Sequence, residues 1–467
     1  MRPTLVLDVV GLTPRLVGPH TPNISRLVEA GGMRPLATVT PAVTCTVQAS
    51  LLTGLLPRDH GIVANGWLFR DVYEVWLWRQ SNRLVGGEKL WEAGVRRDPR
   101  FTCANMFWWY NMASSADIGV TPRPIYKADG RKLPDCYSQP AEVRDELTRL
   151  LGPFPLFRFW GPATSIESSR WIARAAIHVR KTRAPTLSLV YLPHLDYGLQ
   201  RLGPDHPGIV KDLAEIDEVV GELLDDARRD GASVVLLSEY GITAVRTPVH
   251  VNRALRRAGW LAVRLEEGRE LLDPPQSRAF AVADHQIAHV YVDRPDLVPE
   301  VRRLLEGLEG VERVLDEAGK REVGLDHERS GELVALSRAD AWFTYYYWLD
   351  DARAPDFAHL VEIHRKPGYD PVELFLDPAI RVPKLAIGSR LARRALGFRT
   401  LMDVIPLDAG LVRGSHGRPT DDPQDGPLVA SSEPGLLPAG PVAATAVKGL
   451  LLEHVFGRQP AAADVPA

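Results

Sequence analysis

The chain has 467 residues, 45% hydrophobic and 25% charged, ordinary values for a globular protein and too many residues for one average domain. A formal net charge of -3 and a pI near 6.5 exclude the basic footprint of a nucleic-acid-polymer binder and offer no overall attraction to an anionic membrane. Three cysteines without CxxC spacing (Cys45, Cys103, Cys136) exclude a disulfide framework, and no apolar run reaches the ~20 residues that cross a bilayer.

In chain order, residues 4–10 read at once as a buried strand, without the basic region and cleavage site of a signal peptide, so a soluble protein of the reducing cytoplasm is expected. Residues 23–30 have a helical pattern, and Val43-Thr-Cys-Thr-Val-Gln-Ala-Ser-Leu-Leu52 places Thr44 at the start of another helix. Further strands are expected at 101–106, 186–192 and 233–238, with amphipathic helices at 171–180 and 209–229. Continuously apolar strands alternating with helices predict a doubly wound, mostly parallel α/β sheet covered on both faces. After about residue 256 the pattern changes. Strand-like runs at 279–292, 311–315 and 332–337, with a helix at 296–306, predict a smaller inserted α+β unit. The expected division is a core of residues 1–260 and 400–456, an insertion over 261–399 and a flexible tail over 457–467, with 442–456 as the closing helix.

Ligands of such sheets collect where the strands end, so the residues just past each strand are informative. Asp8 ends the first strand. Asp196 follows the strand at 186–192, Glu239 and Tyr240 follow that at 233–238, and His416 stands late between glycines in Gly414-Ser-His-Gly417. Each alone reads as a turn or capping residue. Together, acidic groups at three strand ends with an imidazole read as a cation site. Thr44, alone an ordinary N-cap, also meets the free N–H groups and positive dipole end that suit a phosphoryl group.

At this point the sequence resembles the type I phosphodiesterase/nucleotide pyrophosphatase branch of the alkaline phosphatase superfamily. Two blocks carry the resemblance: Thr21-Pro-Asn-Ile-Ser-Arg-Leu-Val-Glu-Ala-Gly-Gly32, and Leu52-Thr-Gly-Leu-Leu-Pro-Arg-Asp-His-Gly-Ile62 with Asn65 just beyond. The resemblance implies a phosphodiesterase or pyrophosphatase acting through a covalent phospho-threonine at Thr44, with Asn65 on a phosphate oxygen. It also implies two divalent ions, one at Asp8, Thr44 and Glu239 and the other at Asp196 and His416. Three positions depart from the family pattern: Gln200 and Tyr240 stand where it has histidines and remain candidate ligands, and Glu239 replaces its aspartate. An oxygen-dominated set of this kind favours manganese or magnesium over zinc. The expected ligand is a small phosphorylated metabolite or nucleotide, with no nucleic-acid polymer and no membrane. A phosphomonoesterase or phosphotransferase on the same scaffold, or a binding protein with degenerate metal sites, are the alternatives.

Other residues stand out less. Cys45 adjoins Thr44 without a basic partner and reads as a buried filler. His250 reads as structural. The run Asp284-His-Gln-Ile-Ala-His289 resembles a set of metal ligands, but His289 alternates in a strand pattern and reads as packed, while His285, in the preceding turn, is a candidate to face the site. In Phe107-Trp-Trp-Tyr-Asn111, Trp108 is a candidate stacking platform, and His364 sits in a proline-constrained loop expected to overhang the site.

Overall fold

Continuous apolar runs form the middle of a nine-stranded sheet. In the computed structural model, which describes residues 1–458, the edge-to-edge order is Val442–Ala443, Met33–Ala37, Leu428–Ser431, Ser233–Leu237, Thr4–Val9, Leu187–Leu192, Cys103–Met106, Ile118–Pro122 and Cys136–Gln139. Thr4–Val9 pairs in parallel with Leu187–Leu192 on one side and Ser233–Leu237 on the other. Leu428–Ser431 and Cys136–Gln139 add antiparallel pairings towards the two edges. Every residue of the three central strands is buried, so their side chains face protein on both sides. Helix Ile209–Arg229 packs on Pro22–Gly31 and Ile166–Arg183, and helix Val447–Phe456 packs on Thr44–Thr53 and Leu90–Arg97.

A second, four-stranded antiparallel sheet has the order Ala279–Asp284, Ile287–Val292, Leu333–Ser337, Val311–Leu315, with helix Val298–Glu306 against it. Residues 279–292, read as one strand from sequence, form a hairpin. Asp284 pairs with Ile287 across the two-residue turn His285-Gln286. His285, expected in a turn before the strand at His289, does sit in the turn, with a left-handed φ of 61° where glycine or asparagine is more usual. The closing helix is likewise shorter than 442–456. Val442–Ala443 pair in parallel with Leu36 and Ala37, and the helix begins at Val447. The expected tail lies, from residue 459 onward, outside the described residues.

Helix Thr44–Thr53 is buried at every position and joins two apolar cores. Val47, Leu51 and Leu52 enter the core of the large sheet, whereas Cys45 and Ala49 enter that of the small one. Half of its residues are polar (Thr44, Thr46, Gln48, Ser50, Thr53), yet it is enclosed because its apolar side chains are held from both sides. Gly54, with a left-handed φ of 75°, ends it.

Close backbone approach fixes the strand end that carries Glu239 and Tyr240. A Cβ on Gly241 would lie 1.6 Å from the carbonyl oxygen of Asp425, a backbone atom that cannot swing aside. Gly241→Ala should therefore cost about 1–3 kcal/mol by overpacking. A lowered denaturant midpoint at unchanged m-value is the expected observation, and an unchanged midpoint would show that the 422–426 loop yields freely.

Candidate functional site

The strand ends and the start of the Thr44 helix meet at the floor of a cleft of about 2220 Å³. Thr44, Asp196, Tyr240, His285 and His416 all line it, and its walls include Trp78, Trp109, Trp160 and Tyr369. The floor has two halves, joined by hydroxyls.

On one side lie Asp8 and Glu239, both fully buried. The Gln48 amide donates to Glu239 Oε1 at 2.5 Å and to Asp8 Oδ2 at 3.3 Å. Gln48 lies one helical turn beyond Thr44, a position that sequence reading passed over. Burial raises both carboxyls, and the proximity of Glu239 raises Asp8 further, so that the pair retains a proton when no cation is present. Asp8 Oδ1 and Glu239 Oε2 have no hydrogen-bond partner. Unpartnered buried carboxylate oxygens are costly, and a divalent ion offsets that cost.

On the other side is Asp196, whose carboxyl is pushed up to about 7 by burial, with Gln200 and Tyr240 opposing. Both ends of the Gln200 amide are engaged. Its Nε2 donates to Asp196 Oδ2 at 2.7 Å and its Oε1 accepts from Tyr369 at 2.9 Å. Gln200 was expected as a metal ligand; with its oxygen committed to Tyr369 it orients Asp196 instead. Tyr240 was a second expected ligand. Its hydroxyl donates to Asp196 Oδ1 at 3.3 Å and lies 3.0 Å from Thr44 Oγ1. Burial and the neighbouring Asp196 and Glu239 carboxyls raise this phenol, so it is a neutral bridge rather than a phenolate.

Imidazole nitrogen enters this half from two chain segments distant in sequence. His416 Nδ1 donates to the Ala42 carbonyl at 2.8 Å, leaving Nε2 3.9 Å from Asp196 Oδ1. His285, at the hairpin turn, lies with its ring centroid 3.7 Å from that of His416 and stacks on Tyr369. Its Nδ1 contacts Asp284 Oδ1 at 2.7 Å, and its buried Nε2 has no partner. Burial lowers both histidines, which keeps them neutral. A neutral imidazole held at Nδ1 by a carboxylate or carbonyl, with Nε2 free, is the usual arrangement of a metal-ligating histidine.

Asn65 follows a different geometry from the expected one. Its Oδ1 accepts from the Cys45 N–H at 2.9 Å, capping the Thr44 helix from outside. Its backbone N–H and its Nδ2 donate to Asp284 at 2.8 and 3.1 Å. One amide hydrogen therefore remains for a ligand. The Asp284–His289 run resembles a set of metal ligands in sequence, but nothing local marks Asp284 as the partner of Asn65 or Tyr369 as that of Gln200. Cys45 is buried with a raised thiol pKa, because burial and the Asp284 and Glu239 carboxyls disfavour the thiolate.

Trp108 does not reach the cleft. It is fully buried in the large-sheet core, and its neighbour Trp109 lines the cleft beside Trp78. Left-handed φ angles at Phe107 (74°) and Tyr110 (55°) break the regular alternation that would assign faces here. His364 lines the cleft wall, and Lys366, buried against Asp370 and Glu373 at 2.7 Å each, anchors its loop. His250 contacts Thr344, and His289 contacts the Val63 carbonyl, both away from the floor. His194, two residues before Asp196, turns towards Glu215 and Asp212 on the neighbouring helix. No helix among the described residues is long and apolar enough to cross a membrane.

A family model for type I phosphodiesterase / nucleotide pyrophosphatase matches residues 4–370. An uncharacterized pyrophosphatase/phosphodiesterase of Schizosaccharomyces pombe is 24% identical over 246 residues, covering 50% of this chain and 42% of that protein. Ectonucleotide pyrophosphatase/phosphodiesterase family member 3 of Rattus norvegicus is 23% identical over 227 residues, 47% of this chain and 22% of that one. The match thus spans less than half the length of these relatives. Among solved structures, phosphonoacetate hydrolase from Sinorhizobium meliloti with phosphonoformate superposes with a TM-score of 0.63 at 14% identity, covering 97% of this chain and 96% of that one. An inactive variant of murine ectonucleotide pyrophosphatase/phosphodiesterase 5 with AMP gives 0.59 at 13% identity, covering 97% and 95%. At such identities these two share the fold.

The raised carboxyls have a consequence for stability. Asp196 titrates at about 7 in the fold, against about 3.9 in an unfolded chain. The folded state therefore binds the extra proton, and its stabilising effect is lost as pH rises through about 7. Asp8 and Glu239 act in the same direction. Chelator-treated protein should melt at progressively lower temperature as pH rises from about 4 to 7, and a saturating divalent ion should flatten or reverse that trend. A melting temperature independent of pH and cation would show that these groups hold no ion.

Proposed function

The chain belongs to the type I phosphodiesterase/nucleotide pyrophosphatase family, and on that premise we propose that it is a divalent-metal-dependent phosphodiesterase or pyrophosphatase with Thr44 as nucleophile. The observation that carries this reading is the position of Thr44: first residue of a buried helix, on the cleft floor, between two sets of buried acids. Asp8, Glu239 and Thr44 would hold one cation, and Asp196, His416 and His285 the other. When bound, the cations would supply charge neutralisation for the phosphoryl group and its leaving oxygen.

The chain's own groups account for the rest. Tyr240 has one hydroxyl hydrogen, and it points to Asp196 Oδ1; the 3.0 Å contact with Thr44 is then a donation from Thr44 Oγ1 to Tyr240. Thr44 thereby has a route for its proton, through Tyr240 to Asp196, as Oγ1 forms its bond to phosphorus and the bond to the leaving alkoxide breaks. The alkoxide takes a proton from water, the hydroxide so formed attacks phosphorus and breaks the threonine ester, and the proton held at Asp196 returns through Tyr240 to Thr44 Oγ1. The remaining Nδ2 hydrogen of Asn65 and the helix-start N–H groups other than that of Cys45 would serve the equatorial oxygens. Trp78, Trp109 and Trp160 offer apolar faces to the organic part of the ligand, which favours a nucleotide or another aromatic or apolar phosphorylated metabolite.

The test is hydrolysis of bis(p-nitrophenyl) phosphate against p-nitrophenyl phosphate with manganese, magnesium or zinc. Thr44→Ala should lose turnover to background while staying folded, and Cys45→Ala should retain it. Asn65→Ala should lower kcat by roughly a hundredfold or more, the usual cost of one preorganised donor. Wild-type rates in Thr44→Ala would remove the covalent mechanism, and a defect in Asn65→Ala confined to KM would limit that residue to ground-state binding. The metal is tested separately. Because His285 supplies a second nitrogen, the Asp196 half is suited to zinc as well as to manganese. His285→Ala should lower metal affinity about 10–100-fold at one of the two sites. Metal content by mass spectrometry after dialysis is the readout. Unchanged content would return His285 to a stacking role, and protein that binds ligand but neither ion nor turnover would point to the degenerate binding protein.

A further inference from the structure

From Pro378 to Met402 the sequence holds Arg381, Lys384, Arg390, Arg393, Arg394 and Arg399 and no acid, in a chain whose net charge is -3. Whole-chain charge, which argues against an anionic membrane, averages this segment away. Within it, helix Pro383–Ala395 has no buried residue. Only Arg390 forms a salt bridge, with Asp403; among the described residues the other five cations have no carboxylate within 4.0 Å.

The apolar residues of this segment divide between two directions. Ile387 rests on the small-sheet core, and Leu391, Phe398 and Leu401 reach the cleft. Leu385 and Leu396, three helical turns apart and so on one stripe, are 70% and 76% exposed, with exposed Ala392 between them. Phe398 continues the apolar surface at 59% exposure. Isolated exposed leucines are unremarkable in globular proteins. A stripe of them flanked by unpaired cations and free of acids is the pattern of a helix lying in a membrane interface.

We infer that this segment docks the protein on an anionic lipid surface and turns the mouth of the cleft towards the headgroups. Charge complementarity selects the occupant. Five unpaired cations spread over the segment have no fixed geometry for one carboxylate, but they suit a fluid layer of negative charge. Continuity with the site supports it, because Arg394 and Arg399 line the same cleft as Thr44. An amphiphilic phosphoester could then enter the cleft without leaving the layer. The docking itself does not depend on the catalytic reading above.

Cosedimentation of the full chain with phosphatidylcholine vesicles, with and without phosphatidylglycerol, tests it. Binding to the anionic vesicles should be on the order of tenfold or more stronger than to the neutral ones, and should weaken as salt is raised. Two double variants, Leu385→Ser with Leu396→Ser and Lys384→Glu with Arg393→Glu, alter residues outside the cleft. Each should weaken vesicle binding by about tenfold and leave the melting temperature and the hydrolysis of bis(p-nitrophenyl) phosphate unchanged. Wild-type protein that stays in the supernatant with both vesicle types overturns the inference, as does binding that neither variant reduces. A dimer in light scattering that the serine variant disperses, without vesicle binding, would assign the stripe to a second copy of this chain. Failure of hydrolysis with intact vesicle binding would remove the catalytic reading and leave this one standing.

Discussion

One buried carboxylate ties the site to both halves of the structure. Asp284 ends a strand of the small sheet, yet it accepts from the backbone and side-chain amides of Asn65 in the nucleophile segment of the larger fold. Its third partner is His285, at the adjoining turn. Through Asn65 Oδ1 the same chain of contacts reaches the Cys45 N–H and so sets the start of the Thr44 helix. Burial raises Asp284, and its donors oppose that rise. Losing any one of them would leave a buried acceptor short of a partner, which costs more than the hydrogen bond was worth. The geometry at Thr44 therefore depends on the small sheet being in place.

The two halves of the cleft floor use different chemistry. One half is made of oxygen alone, with Asp8 and Glu239 bridged by Gln48. The other mixes Asp196 with two neutral imidazoles. Where the family pattern has histidines, Gln200 and Tyr240 serve as connectors: one positions Asp196 and the other links it to Thr44. His285, from an unrelated part of the chain, brings a second imidazole beside His416. Which side chains meet in this half depends on distance in the fold and not on order in sequence.

The same separation of scales governs the surface. A nearly balanced whole-chain charge coexists with a local run of six cations, and only local density acts within a Debye length of about 8–10 Å. The aromatic walls, the basic segment and the loop anchored by Lys366 converge on one cleft although they come from separate parts of the chain.

The sequence by itself determined the sheet and the position of the candidate nucleophile. Continuous apolar runs identified the central strands, and the contiguous Leu52–Ile62 block located Thr44 and Asn65, because both signals reside in neighbouring residues. Asp8, Asp196 and Glu239 were readable because each lies in or shortly after a recognisable strand, and His416 because it stands beside glycines. The tertiary structure decided what depends on facing. It split 279–292 into a hairpin at a histidine rather than at a glycine, chose Trp109 over Trp108 where irregular φ angles erase alternation, and gave Gln200 and Tyr240 partners that occupy their polar atoms. The Asp284–His289 run resembles a set of metal ligands in sequence, yet nothing local says what Asp284 or Tyr369 contacts. Their roles arise from contacts across more than 160 residues of sequence, and no pattern along the chain encodes a contact that exists only after both sheets have closed on the Thr44 helix.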